Sequence, residues 1–179
     1  MCGLQERRSV TALTDRSTGI AGDQPRSVGR TRRVLVAVVV TIAVVAADQL
    51  TKWWAVTRLA DGRIHLVGTL DLELARNSGA SFSLFQGKGF ILAPVAVVLV
   101  GALAVMVWRA PTAGRAALLG LILGGALGNL SDRLFRDDHG SVVDFVAVHF
   151  WPTFNLADAA VVVGCVLLVA SLVRGPRHP

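Results

Sequence analysis

Cysteine, histidine and charged residues are all scarce in this chain of 179 residues. The first two scarcities bear on disulfide and metal sites, and the third bears on the class of protein. The two cysteines, Cys2 and Cys165, lie far apart in unlike surroundings, so they form neither a disulfide framework nor a metal motif. The four histidines are scattered without the spacing of metal ligands. Charged residues make up 17% of the chain and hydrophobic residues 53%, and long apolar blocks separate the charges. The sequence therefore predicts no metal site and indicates a membrane protein.

Four apolar blocks are long enough to cross a bilayer, which takes about 20 helical residues. The predicted fold is a membrane all-α fold with four transmembrane helices and a small extracytoplasmic β-sheet, or cradle, between helices 1 and 2. The sheet is expected in the surface segment 56–89, where apolar and polar residues alternate as they do in strands. Together the four spans form one transmembrane domain over residues 34–173. The predicted spans are residues 34–55, 90–108, 116–135 and 155–173.

Polar and basic segments flank these spans and predict their orientation. Residues 1–33 lack apolar periodicity and are predicted to be a disordered basic arm. The first apolar block ends in the polar stretch DQLTKWW, which favours a retained helix over a cleaved signal peptide. Because basic residues mark the cytoplasmic side, the arm, the Arg109–Arg115 loop and the tail 174–179 are predicted to be cytoplasmic. Both termini are then inside, and the polar motifs lie at the outer face.

The net charge of +6 raises the possibility of a nucleic-acid partner. The basic residues flank apolar blocks and do not line one soluble face, however. The sequence therefore predicts a membrane lipid environment and no nucleic-acid partner.

The stretch from Gly124 to Asp158 gathers polar groups where two apolar blocks meet water. Ionisable groups beside hydrocarbon are expensive, which favours a functional role for them. Two close carboxylates that share one proton can hydrolyse a peptide bond, one as base and the other as acid. Asp158 lies one turn into an apolar helix with no cation nearby in sequence, so we expect it in such a pair. The residues alone leave Asp144 and Asp132 open as its partner, and they also allow a cation site or proton relay.

Asp132 has a structural interpretation that competes with its choice as the catalytic partner. Asn129, Asp132 and Arg133 lie on one helical face, so Asp132 is also suited to a structural salt bridge. The adjacent Asp137 and Asp138 lie in a polar loop and are interpreted as solvated charges.

Two further pairs of residues have helical spacing. Asp48 and Lys52 are four residues apart and can form an ion pair, either a self-neutralising interfacial pair or one that shapes the site. Gly124 and Gly128 form a small-xxx-small pair, which lets another helix approach closely.

Five ordered motifs give a specific resemblance: DQLTKWW, ARNSGASFSLF, GGALGNLSDRLF, VVDF and FNLADAAVVVG. They resemble those of the bacterial lipoprotein signal peptidases (signal peptidase II), and the match covers roughly Arg33 to Val173. The resemblance implies a metal-independent aspartic endopeptidase of the bacterial plasma membrane that needs no cofactor. Its expected substrates are prolipoproteins whose cysteine carries diacylglycerol, cut just before that cysteine. A monomer is the expected state.

The resemblance also assigns roles to residues of this sequence. It selects Asp144 and Asp158 as the catalytic dyad. Asn129, Arg133 and Asn155 would orient the substrate backbone and the dyad, and Asn77 would contact the substrate near the cut. Asp132 would be structural and paired with an arginine, and it joins Asp48 and Lys52 as the predicted structural polar residues.

Two other classes of protein compete with the peptidase. A small four-helix transporter or proton-coupled carrier would use the same carboxylates, but it would place charges near mid-membrane, often in repeated halves. Here the spans are apolar in their middles, the charges gather at one face and no internal repeat is visible. A scaffold protein is the third class, and it would tolerate asparagine at both Asp144 and Asp158.

Overall fold

In the computed structural model the described residues are 25–78, 89–136 and 140–174. Within those ranges the chain forms four helices and four strands, in the order α-β-β-α-α-β-β-α. The helices are α1 (Pro25–Arg58), α2 (Gly89–Trp108), α3 (Ala113–Phe135) and α4 (Leu156–Val173). The strands are β1 (Ile64–Val67), β2 (Leu70–Asn77), β3 (Val142–Val148) and β4 (Trp151–Phe154).

The four predicted spans each correspond to a helix. Among the described residues, three stretches are long and apolar enough to cross a membrane: Gly29–Arg58 of α1, and the whole of α3 and α4. Their mean hydropathies are 2.2, 1.4 and 2.5. The apolar stretch found in α2, Leu92–Trp108, is shorter. The helices of a membrane protein are therefore confirmed, and four complete crossings stay a prediction.

The first helix begins earlier than the sequence predicted. Because α1 starts at Pro25, the predicted disorder of the arm 1–33 is wrong for residues 25–33, while residues 1–24 lie outside the described ranges. Contacts with the end of α2 and with its connection to α3 stabilise the extension. Arg33 Nη1 donates a hydrogen bond to Pro111 O at 2.7 Å, and the Arg30 guanidinium lies 5.4 Å from the centre of the Trp108 ring. At 1.5 Å per residue, α1 is about 51 Å long, well beyond a hydrocarbon core of about 30 Å.

The predicted sheet is present, but half of it comes from another part of the chain. Strands β1 and β2 lie between α1 and α2 as predicted, within the described part of segment 56–89. Strands β3 and β4 join them from the connection between α3 and α4, and all neighbours are antiparallel in the order β1-β2-β3-β4. The predicted sheet is therefore confirmed, and its second pair of strands was not predicted. The β-branched run in VVDFVAV suits a strand, and pairing with β2 stabilises it.

Strand pairing also positions one predicted catalytic residue. In the β2–β3 register Asp144 lies opposite Ala75, and Asn77 lies opposite Val142. This brings the end of β2 beside the start of β3. The rest of the ARNSGASFSLF motif falls in residues 79–88, outside the described ranges.

Glycines allow α1 and α3 to pack in close contact. A Cβ added to Gly124 would lie 2.7 Å from Val44 Cβ, and one added to Gly128 would lie 2.6 Å from Asp48 Oδ2. The predicted small-xxx-small contact is confirmed, and it continues one turn further. There a Cβ on Gly120 would lie 2.7 Å from a backbone oxygen of α1. Side chains larger than hydrogen are therefore excluded along this face of α3.

We predict that Gly128→Ala destabilises the protein, whereas Gly101→Ala does not. The new methyl group at 128 meets the buried Asp48 carboxylate, and overpacking of this kind costs about 1–3 kcal/mol. Gly101 is also helical, but nothing lies within 4 Å of a Cβ there, so alanine should gain up to about 1 kcal/mol of helix propensity. Thermal unfolding in detergent measures both. Equal melting temperatures for the two variants would contradict the close contact.

Candidate active site

Asp144 lies in β3 with a buried carboxylate that accepts two hydrogen bonds. Asn77 Nδ2 donates to Oδ2 at 2.9 Å, and Asn155 Nδ2 donates to Oδ1 at 2.7 Å. The residue is only 1% exposed. Burial raises the pKa of Asp144 to about 6, and the charge of Asp158 acts in the same direction, against the hydrogen bonds from Asn77 and Asn155. A proton is therefore held on Asp144 at higher pH than on an ordinary aspartate.

Asp158 is the third residue of α4 and is part of its amino-terminal cap. Its Oδ2 accepts the backbone N–H of Asn155 at 3.2 Å, and Asn155 Oδ1 accepts the backbone N–H of Asp158 at 2.9 Å. This reciprocal capping box fixes the carboxylate at the helix terminus, where negative charge is stabilised. Its other carboxylate oxygen, Oδ1, accepts a hydrogen bond from Asn129 Nδ2 at 2.8 Å. Unlike Asp144, the residue is half-buried.

Asn155 brings the two carboxylates together. It is fully buried and contacts both of them: through Nδ2 it reaches Asp144, and through its backbone N–H and Oδ1 it holds Asp158. Because Asn155 Oδ1 accepts from a backbone N–H, its Nδ2 has to face Asp144. The structure thus places Asp144 and Asp158 around one amide.

Lys52 fixes the orientation of Asn129, the second amide of the site. Its side chain is fully buried, and Nζ lies 2.8 Å from Asp48 Oδ2, 3.0 Å from Asp132 Oδ2 and 3.0 Å from Asn129 Oδ1. The predicted Asp48–Lys52 pair is therefore confirmed. An ammonium group can only donate, so Asn129 has to present Oδ1 to Lys52 and Nδ2 to Asp158. Lys52 does not contact the dyad, yet it determines which atom of Asn129 does.

Asp132 lies within this supporting network. Its Oδ2 accepts from Lys52 and from the backbone N–H of Val143 at 3.1 Å. Its Oδ1 accepts from Arg136 Nε at 3.1 Å and from Gln49 Nε2 at 3.2 Å. The expected pairing of Asp132 with an arginine is confirmed, and the arginine is Arg136. Through Val143, Asp132 anchors the strand residue that precedes Asp144.

Asp48 performs the matching task for α4. Its Oδ1 accepts the backbone N–H of Ala157 at 3.0 Å, next to Asp158. The two supporting carboxylates thus fix the backbone beside each dyad residue.

Sequence reasoning missed Gln49 and Arg136. Their signals were the position of Gln49 within the DQLTKWW motif and the spacing of four residues between Asp132 and Arg136.

Arg133 is half-buried beside the dyad and retains free donors. Its Nη1 donates to Asn129 O at 3.2 Å, while its Nε is buried and has no hydrogen-bond partner among the described residues. The charges of Asp158 and Asp144 both act on the guanidinium. A buried N–H without a partner is costly, so this group is suited to donate to a ligand carbonyl.

The sheet carries the two described histidines away from the dyad. His65 Nδ1 lies 2.6 Å from Asp71 Oδ1, and His149 Nδ1 lies 3.1 Å from Thr69 O. His139 and His178 fall outside the described ranges. Among the described residues, no group of three or more His, Cys, Asp or Glu side chains has a geometry that could hold a metal ion.

Comparisons with known proteins identify the family. The chain matches the family model described as signal peptidase (SPase) II over residues 40–174. The chain belongs to the signal peptidase II family. It is 45% identical over 168 residues to the lipoprotein signal peptidase of Rhodococcus jostii, covering 90% of this chain and 82% of the relative. It is 38% identical over 172 residues to that of Mycobacterium tuberculosis, covering 93% of this chain and 85% of the relative.

Solved structures show the same fold. One, described as a bacterial membrane enzyme, has a TM-score of 0.68 at 26% identity and covers 78% of this chain and 94% of its own. Another of the same description has a TM-score of 0.67 at 24% identity and covers 80% and 93%. The predicted peptidase family is confirmed, and the comparisons do not support the transporter alternative.

We predict that Lys52→Met is far more damaging than Arg136→Met. Removing Lys52 leaves Asp48 and Asp132 buried without their shared cation, and losing one partner of a buried pair costs about 3–5 kcal/mol. The side chain of Arg136 is partly exposed, so its loss should cost about 1 kcal/mol or less. Thermal unfolding compares the two. A melting temperature of Lys52→Met at or above that of Arg136→Met would show that Lys52 does not hold the site together.

Proposed function

We propose that this chain removes signal peptides from prolipoproteins with Asp144 and Asp158 as its catalytic dyad. The observation that carries this assignment is a contrast between two kinds of aspartate. Asp48 and Asp132 both form ion pairs with the same buried lysine, Lys52. Among the described residues, Asp144 and Asp158 have no ion pair and are held only by amide and backbone donors. A carboxylate pair without a neutralising cation can share a proton, as the chemistry requires.

The geometry favours Asp144 as the acid and Asp158 as the base. Asp144 is the more deeply buried, and its raised pKa favours the protonated form. Asp158 accepts two hydrogen bonds, one on each carboxylate oxygen, from the backbone N–H of Asn155 and from Asn129 Nδ2, which suits it to act as the base. Below a pH of about 6, Asp144 therefore carries the proton of the dyad.

Peptide hydrolysis follows from that proton distribution. Asp158 takes a proton from a water as its oxygen attacks the scissile carbonyl carbon, while Asp144 donates a hydrogen bond and then its proton to the carbonyl oxygen. The tetrahedral intermediate collapses when the peptide nitrogen is protonated by Asp158 and the diol returns a proton to Asp144. The C–N bond breaks, and the dyad ends with its single proton restored. Asn77 and Arg133 are placed to orient the substrate backbone.

The position of the dyad suits a substrate with lipid anchors. Asp158 begins an apolar helix and Asp144 lies in the adjoining sheet, so both are at one end of the bundle. A diacylglyceryl cysteine keeps its acyl chains in the bilayer, and its peptide bond would reach the enzyme at that depth. The cut is proposed just before this cysteine, at the outer face of the bacterial plasma membrane, with both termini of the enzyme in the cytoplasm. The enzyme is proposed to act as a monomer and without a metal.

We expect Asp144→Asn and Asp158→Asn to abolish cleavage of a diacylglyceryl-modified prolipoprotein. Loss of a general acid or base lowers the rate about 10²–10⁴-fold. A gel-shift assay in detergent, with and without EDTA, measures the cleavage, and thermal unfolding verifies that each variant folds. The exposed Asp61→Asn is the matched control and should cleave as wild type does.

Asp132→Asn separates the two interpretations of that residue. We expect the variant to be less stable but, where folded, still able to cleave. Normal cleavage by Asp144→Asn together with a folded, inactive Asp132→Asn would reassign the dyad. Loss of wild-type activity in EDTA would contradict a metal-independent mechanism.

The pKa of Asp144 gives a pH dependence with a definite sign. The pKa of Asp144 is raised from 3.8 to about 6 in the folded state, so between these pH values the folded protein binds a proton that the unfolded chain has lost. The contribution of this proton to the free energy of unfolding is therefore complete below pH 3.8 and is lost as pH rises through about 6. We therefore expect kcat/KM to fall as pH rises through about 6, when free enzyme loses the proton of Asp144. Over the same interval the melting temperature of wild type should fall relative to Asp144→Asn. A stability difference that is constant from pH 4 to 8 would show that Asp144 has no raised pKa.

A further inference from the structure

The end of the bundle opposite the dyad is rich in arginine and has no carboxylates in its helices. In sequence, neither Asp nor Glu occurs in residues 29–47, 92–131 or 159–174. The described carboxylates all lie elsewhere, from Asp48 onward toward the dyad end. This opposite end is therefore a region of positive charge that its own helices do not neutralise. Its arginines are Arg30, Arg32, Arg33, Arg109, Arg115 and Arg174.

Two of these arginines, Arg30 and Arg33, contact the end of α2 and its connection to α3, and a third, Arg109, lies in that connection. Arg33 Nη1 donates to Pro111 O at 2.7 Å, and Arg30 lies over the Trp108 ring at 5.4 Å. Arg109 is exposed and lies in sequence between these two contacted residues. We call Arg30, Arg33 and Arg109 the arginine cluster. Like charges repel, so an anion that bound near several of these arginines would be favourable.

Arg33 presents a donor that nothing in the described chain satisfies. Its Nε is buried and has no hydrogen-bond partner among the described residues, although the same guanidinium is fixed by Pro111 O. A buried N–H without a partner is costly, and a ligand oxygen would remove that cost. Guanidinium groups bind phosphate oxygens with a geometry that few other side chains provide.

From these observations we propose that the arginine cluster binds the phosphate group of an anionic membrane lipid. A lipid is favoured over a soluble phosphate because the helix surface continues from the cluster as exposed apolar side chains, which acyl chains would cover. These side chains are Leu35, Val38 and Val39 of α1 and Val105 and Met106 of α2.

The site is distinct from the peptidase site and has a different consequence. Ala113, beside the cluster, and Asn129, beside the dyad, are separated by about 24 Å along α3 at 1.5 Å per residue. A headgroup bound at the cluster would fix one end of α1 and α3 at the membrane surface. The depth of the dyad at their other end would then be fixed as well.

Thermal unfolding with defined lipids tests this proposal on the full chain. The protein in neutral detergent is titrated with phosphatidylglycerol, with phosphatidylcholine of the same acyl chains, and with inorganic phosphate. We expect a rise in melting temperature with phosphatidylglycerol alone, smaller at high salt. In Arg30→Gln/Arg33→Gln the concentration for half of the rise should increase about thirtyfold, because each basic residue near an anionic lipid surface contributes about a fivefold factor.

A matched variant distinguishes a site from general attraction. Arg32→Gln/Arg174→Gln removes the same charge from exposed positions outside the cluster and should keep the wild-type titration. Equal weakening in both double variants, or an unchanged titration in Arg30→Gln/Arg33→Gln, would overturn the proposal. So would an equal rise with phosphatidylcholine, or with inorganic phosphate, which would indicate a soluble anion.

Two remaining outcomes are also decisive. If Arg30→Gln/Arg33→Gln does not fold, Arg33→Lys keeps the charge but removes the Nε donor, and it should still weaken the titration; an unchanged titration would refute a role for that donor. If phosphatidylglycerol raises the melting temperature only in a variant in which Glu6, Asp15 and Asp23 are neutralised, the acidic residues of residues 1–24 compete for the cluster in wild type. That result would overturn the proposal that the lipid is its occupant. Cleavage activity is not used as a readout, so the result is independent of the proposed function.

Discussion

The buried ammonium group of Lys52 is the interaction on which the rest of the site depends. It is the point where α1 meets two carboxylates and the amide of Asn129. Each carboxylate then holds backbone of another element: Asp132 holds Val143 of β3, and Asp48 holds the first turn of α4. The two proposed catalytic aspartates, which come from different elements, are thus positioned by one charge that contacts neither of them. The buried cation is tolerable because three oxygens surround it.

The glycine face of α3 is a consequence of that arrangement. Lys52 reaches Asp132 and Asn129 only if α1 and α3 approach closely, and a methyl group at Gly128 would collide with Asp48. Packing and electrostatics therefore constrain the same pair of helices. Sites for charged groups inside a membrane are stable where the surrounding helices leave no room for alternative positions of the partners.

Sequence reasoning found what short-range patterns encode. The Asp48–Lys52 pair and the Gly124–Gly128 contact follow from helical spacing, and the apolar blocks gave each helix to within a few residues, apart from the start of α1. Strand β3 was missed because its pairing partner β2 lies about 70 residues away in sequence, and no local pattern reports that contact; β4 was missed with it because β4 pairs with β3. The contact of Asn77 with Asp144 depends on the same register. Residues alone left Asp132 and Asp144 undecided for this reason.

The difference between those two aspartates is one of environment, not of residue type. Both are almost fully buried and both accept several hydrogen bonds. Asp132 receives them from a lysine and an arginine, whose charges balance its own. Asp144 receives them from two neutral amides, with the carboxylate of Asp158 nearby as a like charge. Neutral donors leave Asp144 free to take up or release a proton, whereas cations hold Asp132 as an anion. Lys52 and Arg136 form ion pairs with Asp132 and none with Asp144, which makes one aspartate structural and the other suited to proton transfer.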